Sequence, residues 1–156
     1  MSAGLPDLAA FCAPSRVVDL AHYTSKVEAI TTVAASFRGH PAIGNYHEWV
    51  KALHDREAVI TTGIGGGVAL PHAQHPANQD FLLAIGRSQT GIDFGAKDGK
   101  PVQVMVMMAA PIADRPTYLK VLASVAGRLH RGALLADVLA AATPEDVIAQ
   151  LLAIHR

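Results

Sequence analysis

Between Arg56 and His75 the chain carries an arginine–glutamate pair, Thr62, four glycines at Gly63, Gly65, Gly66 and Gly67, and then Pro71-His72. An imidazole near physiological pH can act as nucleophile, general base or metal ligand. Glycine at this density forfeits backbone entropy that an ordinary helix or strand would keep, so it marks a sharp turn or a close approach of backbone to another group. Pro71 fixes its own φ and holds Leu70 extended, which stiffens the chain leading into His72. A single imidazole beside unencumbered backbone N–H groups suits anion or phosphoryl chemistry. The same residues also suit a ring packed in a loop, so the residue types alone leave all four roles of His72 open. The glycines form no P-loop, because no Gly-Lys-Ser/Thr follows. They form no dinucleotide fingerprint either, because they precede a strand and not a helix.

Three further groups could join this chemistry. His72 and His75 stand three residues apart, as zinc ligands on one helix face do. Pro71 and Pro76 argue against a continuous helix, and no further cysteine or histidine sits at a recognisable zinc spacing. Arg56 and Glu57 fall near a helix C-terminus, where the dipole favours a cation. Solvated charges are the ordinary outcome there, and a role at His72 requires the chain to fold back. Tyr118 lies near the start of a helix after Pro111 and is expected half in the core, with its hydroxyl free to find a partner.

The elements that must position these groups are legible from pattern. Residues 1–14, with Gly4, Pro6 and Pro14, read as a loose arm, and the first domain boundary falls after residue 16, leaving 17–156 as one domain. Val17, Val18 and Leu20 suggest a short strand. Ser25 with Glu28 forms a capping box for a helix burying Val27, Ile30, Val33, Ala34 and Phe37, closed by Gly39 and Pro41. Asn45 with Glu48 opens a second helix with Trp49 and Leu53 inside. Val68–Leu70 and Phe81–Ile85 read as strands, as do Gly91–Phe94 and the almost wholly apolar Val102–Met108, a central strand covered on both faces. Tyr118, Leu119, Leu122, Val125, Ala126 and Leu129 recur at helical spacing. A shorter helix spans 133–141, and Thr143-Pro144 starts the last one. The expected fold is α/β: a single-domain sandwich with a central mixed sheet flanked by helices on both faces.

Composition narrows the partners. With 156 residues, 51% of them apolar, the chain suits one domain with a substantial core. Its formal net charge is zero, and without a basic cluster nothing steers it to nucleic acid or anionic lipid. Cys12 is the single cysteine, so no intrachain disulfide is available, in keeping with a reducing compartment. No apolar run is long enough to span a bilayer, and the first residues lack the pattern of a secretory signal, so a cytoplasmic location is expected.

Arg56-Glu57, then Thr62-Gly63-Ile64-Gly65, then Gly67-Val68-Ala69-Leu70-Pro71-His72 resemble the signature of the fructose/mannitol-type IIA domains of the phosphoenolpyruvate-dependent sugar phosphotransferase system, shared with their nitrogen-regulatory relatives. The resemblance continues through Gly91-Ile92-Asp93-Phe94, Lys100-Pro101-Val102, Ala110-Pro111 and the helix from Tyr118 to Leu129. It implies that His72 accepts a phosphoryl group from the phosphohistidine of an HPr-like carrier. The group then passes to a IIB domain or, in regulatory relatives, serves as a signal to a protein target. It implies that Arg56 lies close to His72 and neutralises phosphoryl charge. Amides of Thr62, Gly63, Gly65, Gly66 and Gly67 would supply oriented dipoles. Neither cofactor nor metal is implied, because the donor is a phosphohistidine. One position departs from the family: a second histidine is common early in the helix after the Ala-Pro, and Tyr118 stands there. A tyrosine offers a hydroxyl donor but no second imidazolium, which leaves open a homologue that has lost transfer.

Overall fold

The computed structural model describes residues 7–153. Six strands form one mixed sheet: β1 (Val17–Asp19), β2 (Gly63–Gly65), β3 (Val68–Ala69), β4 (His72–Gln74), β5 (Leu82–Ile92) and β6 (Val102–Ala110). Their order is β1-β5-β6-β3-β2, with β4 also on β6. β1 runs parallel to β5, β5 antiparallel to β6, and both β3 and β4 parallel to β6. β6 is buried over nearly its whole length, as its unbroken apolar run requires of a central strand.

Among the described residues five α-helices cover the two faces: α1 (Lys26–Ala34), α2 (Tyr46–Val59), α3 (Arg115–Leu129), α4 (Leu134–Ala140) and α5 (Pro144–Leu152). α1 and α2 pack Ile30, Val33, Trp49 and Leu53 on one face of the sheet. Val121, Val125, Leu129, Val138 and Val147 of α3 to α5 pack on the other. The caps read from sequence are in place. Ser25, Asn45 and Thr143 accept from the amides of Glu28, Glu48 and Asp146, and Asp114 accepts from Thr117 to start α3. Each satisfies a helix N–H that has no intrahelical acceptor.

Four expectations are corrected. The loose arm does not hold for the described part of residues 1–14 (Gly4 and Pro6 lie outside the described residues). Leu8–Phe11 and Pro14–Arg16 form short 3-10 helices, and Leu8 and Arg16 are buried. Pro14 begins its turn with a φ that suits it, and Arg16 donates to the Leu83 and Phe11 carbonyls, tying the segment to β5. Phe81–Ile85 and Gly91–Phe94 are not separate strands, because β5 runs unbroken from Leu82 to Ile92 and takes up a register shift near its end. Val27 is exposed, since the first turn of α1 projects past the surface that α1 covers. Leu119 is exposed as well; the buried stripe of α3 runs through Val121, one turn along from Tyr118, and Leu119 lies off it.

Candidate functional site

Leu70-Pro71 decides where His72 stands. β3 and β4 lie against the same edge of β6, Ala69 opposite Met105 and His72 opposite Met108. Pro71 has no N–H to carry a ladder between them, so the strand is broken there. The break turns the Leu70 carbonyl towards the imidazole, and His72 Nδ1 lies 2.7 Å from Leu70 O. Two electronegative atoms at that distance need a proton between them, so Nδ1 carries the hydrogen and Nε2 keeps its lone pair.

Burial holds the His72 pKa below its ordinary value; the bond to Leu70 raises it, the Arg56 charge lowers it and the Glu57 charge raises it. The net result is a neutral ring with a free Nε2 at neutral pH. Tyr118, in the first turns of α3, lies with its ring centroid 6.2 Å from that of His72. Burial raises the Tyr118 pKa and the Arg56 and Arg115 charges lower it, with a net rise. Its hydroxyl therefore stays protonated and can donate. Arg56 is near enough for its charge to act on both rings. It is held at the end of α2 by Nη1 donating to the Ile60 carbonyl at 2.9 Å, a helix-terminal carbonyl without an intrahelical partner. Three elements distant in sequence thus bring Arg56, His72 and Tyr118 together.

The glycines behave differently from expectation. Gly63–Gly65 form β2, which pairs antiparallel with β3 through a register shift. Gly65, Gly66 and Gly67 have φ of 92°, 67° and 82°, so they turn the tip of a hairpin in a region closed to most side chains. That tip does not lie at His72. The Gly67 carbonyl accepts from Gln103, five residues along β6 from the Met108 that faces His72, which is about 16 Å at the rise of a strand. The Gly66 amide is already taken by Asp98 at 2.9 Å. A cleft of about 510 Å³ at this tip is lined by Ile64, Gly65, Gly66, Asp98, His130 and Leu135 among others, and by none of Arg56, His72 or Tyr118. Thr62 and Gly63, at the base of the hairpin, are the members of the expected loop that stay beside the Leu70-His72 turn: the Thr62 carbonyl accepts from Leu70 N–H at 3.1 Å.

His75 points elsewhere. Its Nδ1 accepts from the Ala77 amide and its Nε2 lies 3.2 Å from the Glu48 carboxylate. Among the described residues no group of three or more His, Cys, Asp or Glu side chains could hold a metal ion.

Two residues carry more than their sequence context suggested. Glu57 is buried and binds Thr62 through backbone and hydroxyl. Its ion-pair partner Lys26, with Nζ 2.9 Å from Oε2, is remote in sequence and gives no local signal. Gln74 donates to the Pro111 carbonyl at 3.2 Å, fixing the turn that leads from β6 to α3 and Tyr118. No pattern in the sequence marks it.

A family model described as "Phosphoenolpyruvate-dependent sugar phosphotransferase system, EIIA 2" matches residues 10–153. A nitrogen regulatory protein of Bradyrhizobium diazoefficiens is 32% identical over 143 residues, 91% of this chain and 92% of that protein. The fructose-specific EIIA component of Haloferax volcanii is 35% identical over 103 residues, 64% of this chain and 67% of its own length. The crystal structure of the nitrogen regulatory protein IIA-Ntr from Neisseria meningitidis superposes with a TM-score of 0.83 at 25% identity, covering 91% of this chain and 97% of that one. The signature residues, the fold and these likenesses agree, and the chain belongs to the type 2 EIIA family of the phosphoenolpyruvate-dependent sugar phosphotransferase system.

Proposed function

We propose that this chain is a phosphocarrier in which Nε2 of His72 accepts a phosphoryl group from the phosphohistidine of an HPr-like protein and passes it on to a IIB domain. The observation that carries this reading is the 2.7 Å contact between His72 Nδ1 and the Leu70 carbonyl, which leaves Nε2 unprotonated. In the forward step the Nε2 lone pair forms the new N–P bond as the carrier's N–P bond breaks, and the carrier's ring nitrogen takes back its electron pair. The His72 ring becomes cationic, and the Leu70 carbonyl accepts a stronger hydrogen bond from its Nδ1–H. Arg56 offsets the negative charge of the moving group, and the Tyr118 hydroxyl donates to one of its oxygens. Phosphoryl transfer draws on positioning and electrostatics more than on covalent help, and no metal or cofactor enters the step.

A macromolecular donor needs a docking face. Exposed apolar residues stand on or beside the two helices that contribute to the site: Val59 and Ile60 at the end of α2, Ile112 before α3, and Leu119 on it. Among the described residues no helix is long and apolar enough to cross a membrane; the proposed setting is the cytoplasm. Incubation with phospho-HPr followed by a IIB domain tests the assignment: label should appear on this chain and then leave it.

The near full-length match to a nitrogen regulatory protein supports a second reading, in which phosphorylation of His72 switches affinity for a protein target. Partner capture by the phosphorylated and unphosphorylated forms separates the two, since a switch demands different partner sets.

A further inference from the structure

Glu57 occupies a place that phosphoryl acceptance does not require of it directly. Its side chain is 5% exposed, and a carboxylate is seldom buried to that degree without being fully paired. Lys26 Nζ stands 2.9 Å from Oε2. The Thr62 amide donates to Oε2 at 2.7 Å, and the Thr62 hydroxyl donates to Oε1. Thr62 then receives the Leu70 N–H on its carbonyl, and Leu70 receives the His72 Nδ1–H on its own. On the far side of the turn, the Pro71 carbonyl accepts from Met108 N–H at 3.0 Å.

The hairpin that carries Thr62 and Leu70 is a weak support by itself. Its strands hold three and two residues and pair through a register shift, and β2 has glycine at both ends. β3 is held on its other side by β6, Val68 opposite Val104 and Ala69 opposite Met105, which leaves β2 at the edge of the sheet, with its base at Thr62 in need of an anchor of its own. The Glu57 carboxylate supplies that anchor, fixed by α2 behind it and by Lys26 of α1 beside it.

Resting on the phosphocarrier reading, we infer that Glu57 is a positioning residue for His72: it clamps Thr62 at the base of the β2–β3 hairpin, Thr62 sets Leu70, and the Leu70 carbonyl keeps the imidazole proton on Nδ1 so that Nε2 is the reactive nitrogen. Glu57 touches neither the ring nor the phosphoryl group. It acts through two backbone hydrogen bonds, as outer-shell partners of metal-bound histidines do through one.

The test is the tautomer of His72, read from long-range ¹⁵N–¹H correlations of the ring above its pKa, in the wild type and in Glu57→Gln. Phosphoryl acceptance from phospho-HPr and the urea midpoint are measured alongside. The carboxamide offers one acceptor oxygen in place of two and aims an N–H at a Thr62 donor, so the clamp opens. The wild type should show Nδ1–H alone. Glu57→Gln should show a mixture, and acceptance should fall about 10- to 100-fold. Gly86→Ala, a destabilising change inside β5, is the control for stability and should leave the tautomer unchanged. If Glu57→Gln does not fold, the near-isosteric Thr62→Val carries the same test. An Nε2–H tautomer in the wild type overturns the inference, as does a variant that keeps both the wild-type tautomer and the wild-type rate. A tautomer that shifts in a chain phospho-HPr never labels would uphold the clamp and sink the phosphocarrier reading.

Discussion

The rings of His72 and Tyr118 lie with centroids 6.2 Å apart and planes inclined by 53°, a tyrosine where the family commonly carries a second histidine. The pair defines what this site has and what it lacks. It has a hydrogen-bond donor beside the proposed acceptor, and a tyrosine in that place supplies no second imidazole that titrates near neutrality. Tyr118→Phe should cost one hydrogen bond to a charged group, about 1.5–3 kcal/mol, which is a loss of roughly 10- to 150-fold in acceptance rate. Tyr118→His should add a donor that is cationic only below about pH 6.5. Acceptance by that variant should then show a second ionisation beside that of His72, where the Tyr118 protein shows the His72 ionisation alone, as measured by rapid-quench labelling.

The neighbours of His72 move its titration in opposite directions. Burial places its pKa below the ordinary 6.5, with Arg56 lowering it further and Glu57 raising it. Ring titration by NMR should therefore give a wild-type midpoint below 6.5, shifted up in Arg56→Gln and down in Glu57→Gln. A folded pKa below the unfolded one means that the unfolded chain takes up the proton first as pH falls. Relative to His72→Gln, the wild type should thus hold its full stability above pH 6.5. It should lose part of it as pH falls from there through the folded pKa, in urea melts across that window.

The glycine tip supplies a prediction of the opposite kind. A Cβ on Gly66 would meet no atom within 4 Å, but its φ of +67° is strained for any side chain. Gly66→Ala should cost about 1–2 kcal/mol of stability and leave phosphoryl acceptance near the wild-type rate, because the tip stands at the far end of the hairpin from His72. A large loss of acceptance at full occupancy of the folded state would return the tip amides to the site.

Gly86 is constrained by packing and not by φ. An added Cβ would stand 2.7 Å from Val33 Cγ2, 3.0 Å from Leu20 Cδ1 and 3.1 Å from Met105 Cγ, where α1 rests on β5. Gly86→Ala should destabilise by about 1–3 kcal/mol through overpacking, read from the denaturant midpoint.

Local chemistry was the part of this structure that could be read from residues alone. Ser25, Asn45 and Thr143 start their helices because each side-chain oxygen reaches an amide three residues on, an interaction written wholly in nearby sequence. The burial of β6 followed from an apolar run without alternation. Pro71-His72 pointed to a stiff approach, and His72 Nδ1 rests on the carbonyl of Leu70 two residues back, a contact within the same short stretch.

What escaped depends on contacts between distant segments. The glycines at Gly65 to Gly67 announced a turn but not its distance from His72, because the extension of Val68 to His72 that separates them is set by pairing with β6. The burial of Glu57 needs Lys26 from another helix. The packing of Leu8 and Arg16 needs the β5 carbonyl of Leu83 and the apolar face under α5. Arg56 gave a charge near a helix end, and only the fold decides that the charge reaches His72 and Tyr118.

The central claim is that His72 is the phosphoryl acceptor. Intact mass after incubation with phosphoenolpyruvate, Enzyme I and HPr, with His72→Ala in parallel, tests it most directly. A gain of one acid-labile phosphoryl group is expected in the wild type and none in the variant. An equal gain in His72→Ala, or no gain in the wild type with a carrier mixture that labels another IIA domain, would contradict it.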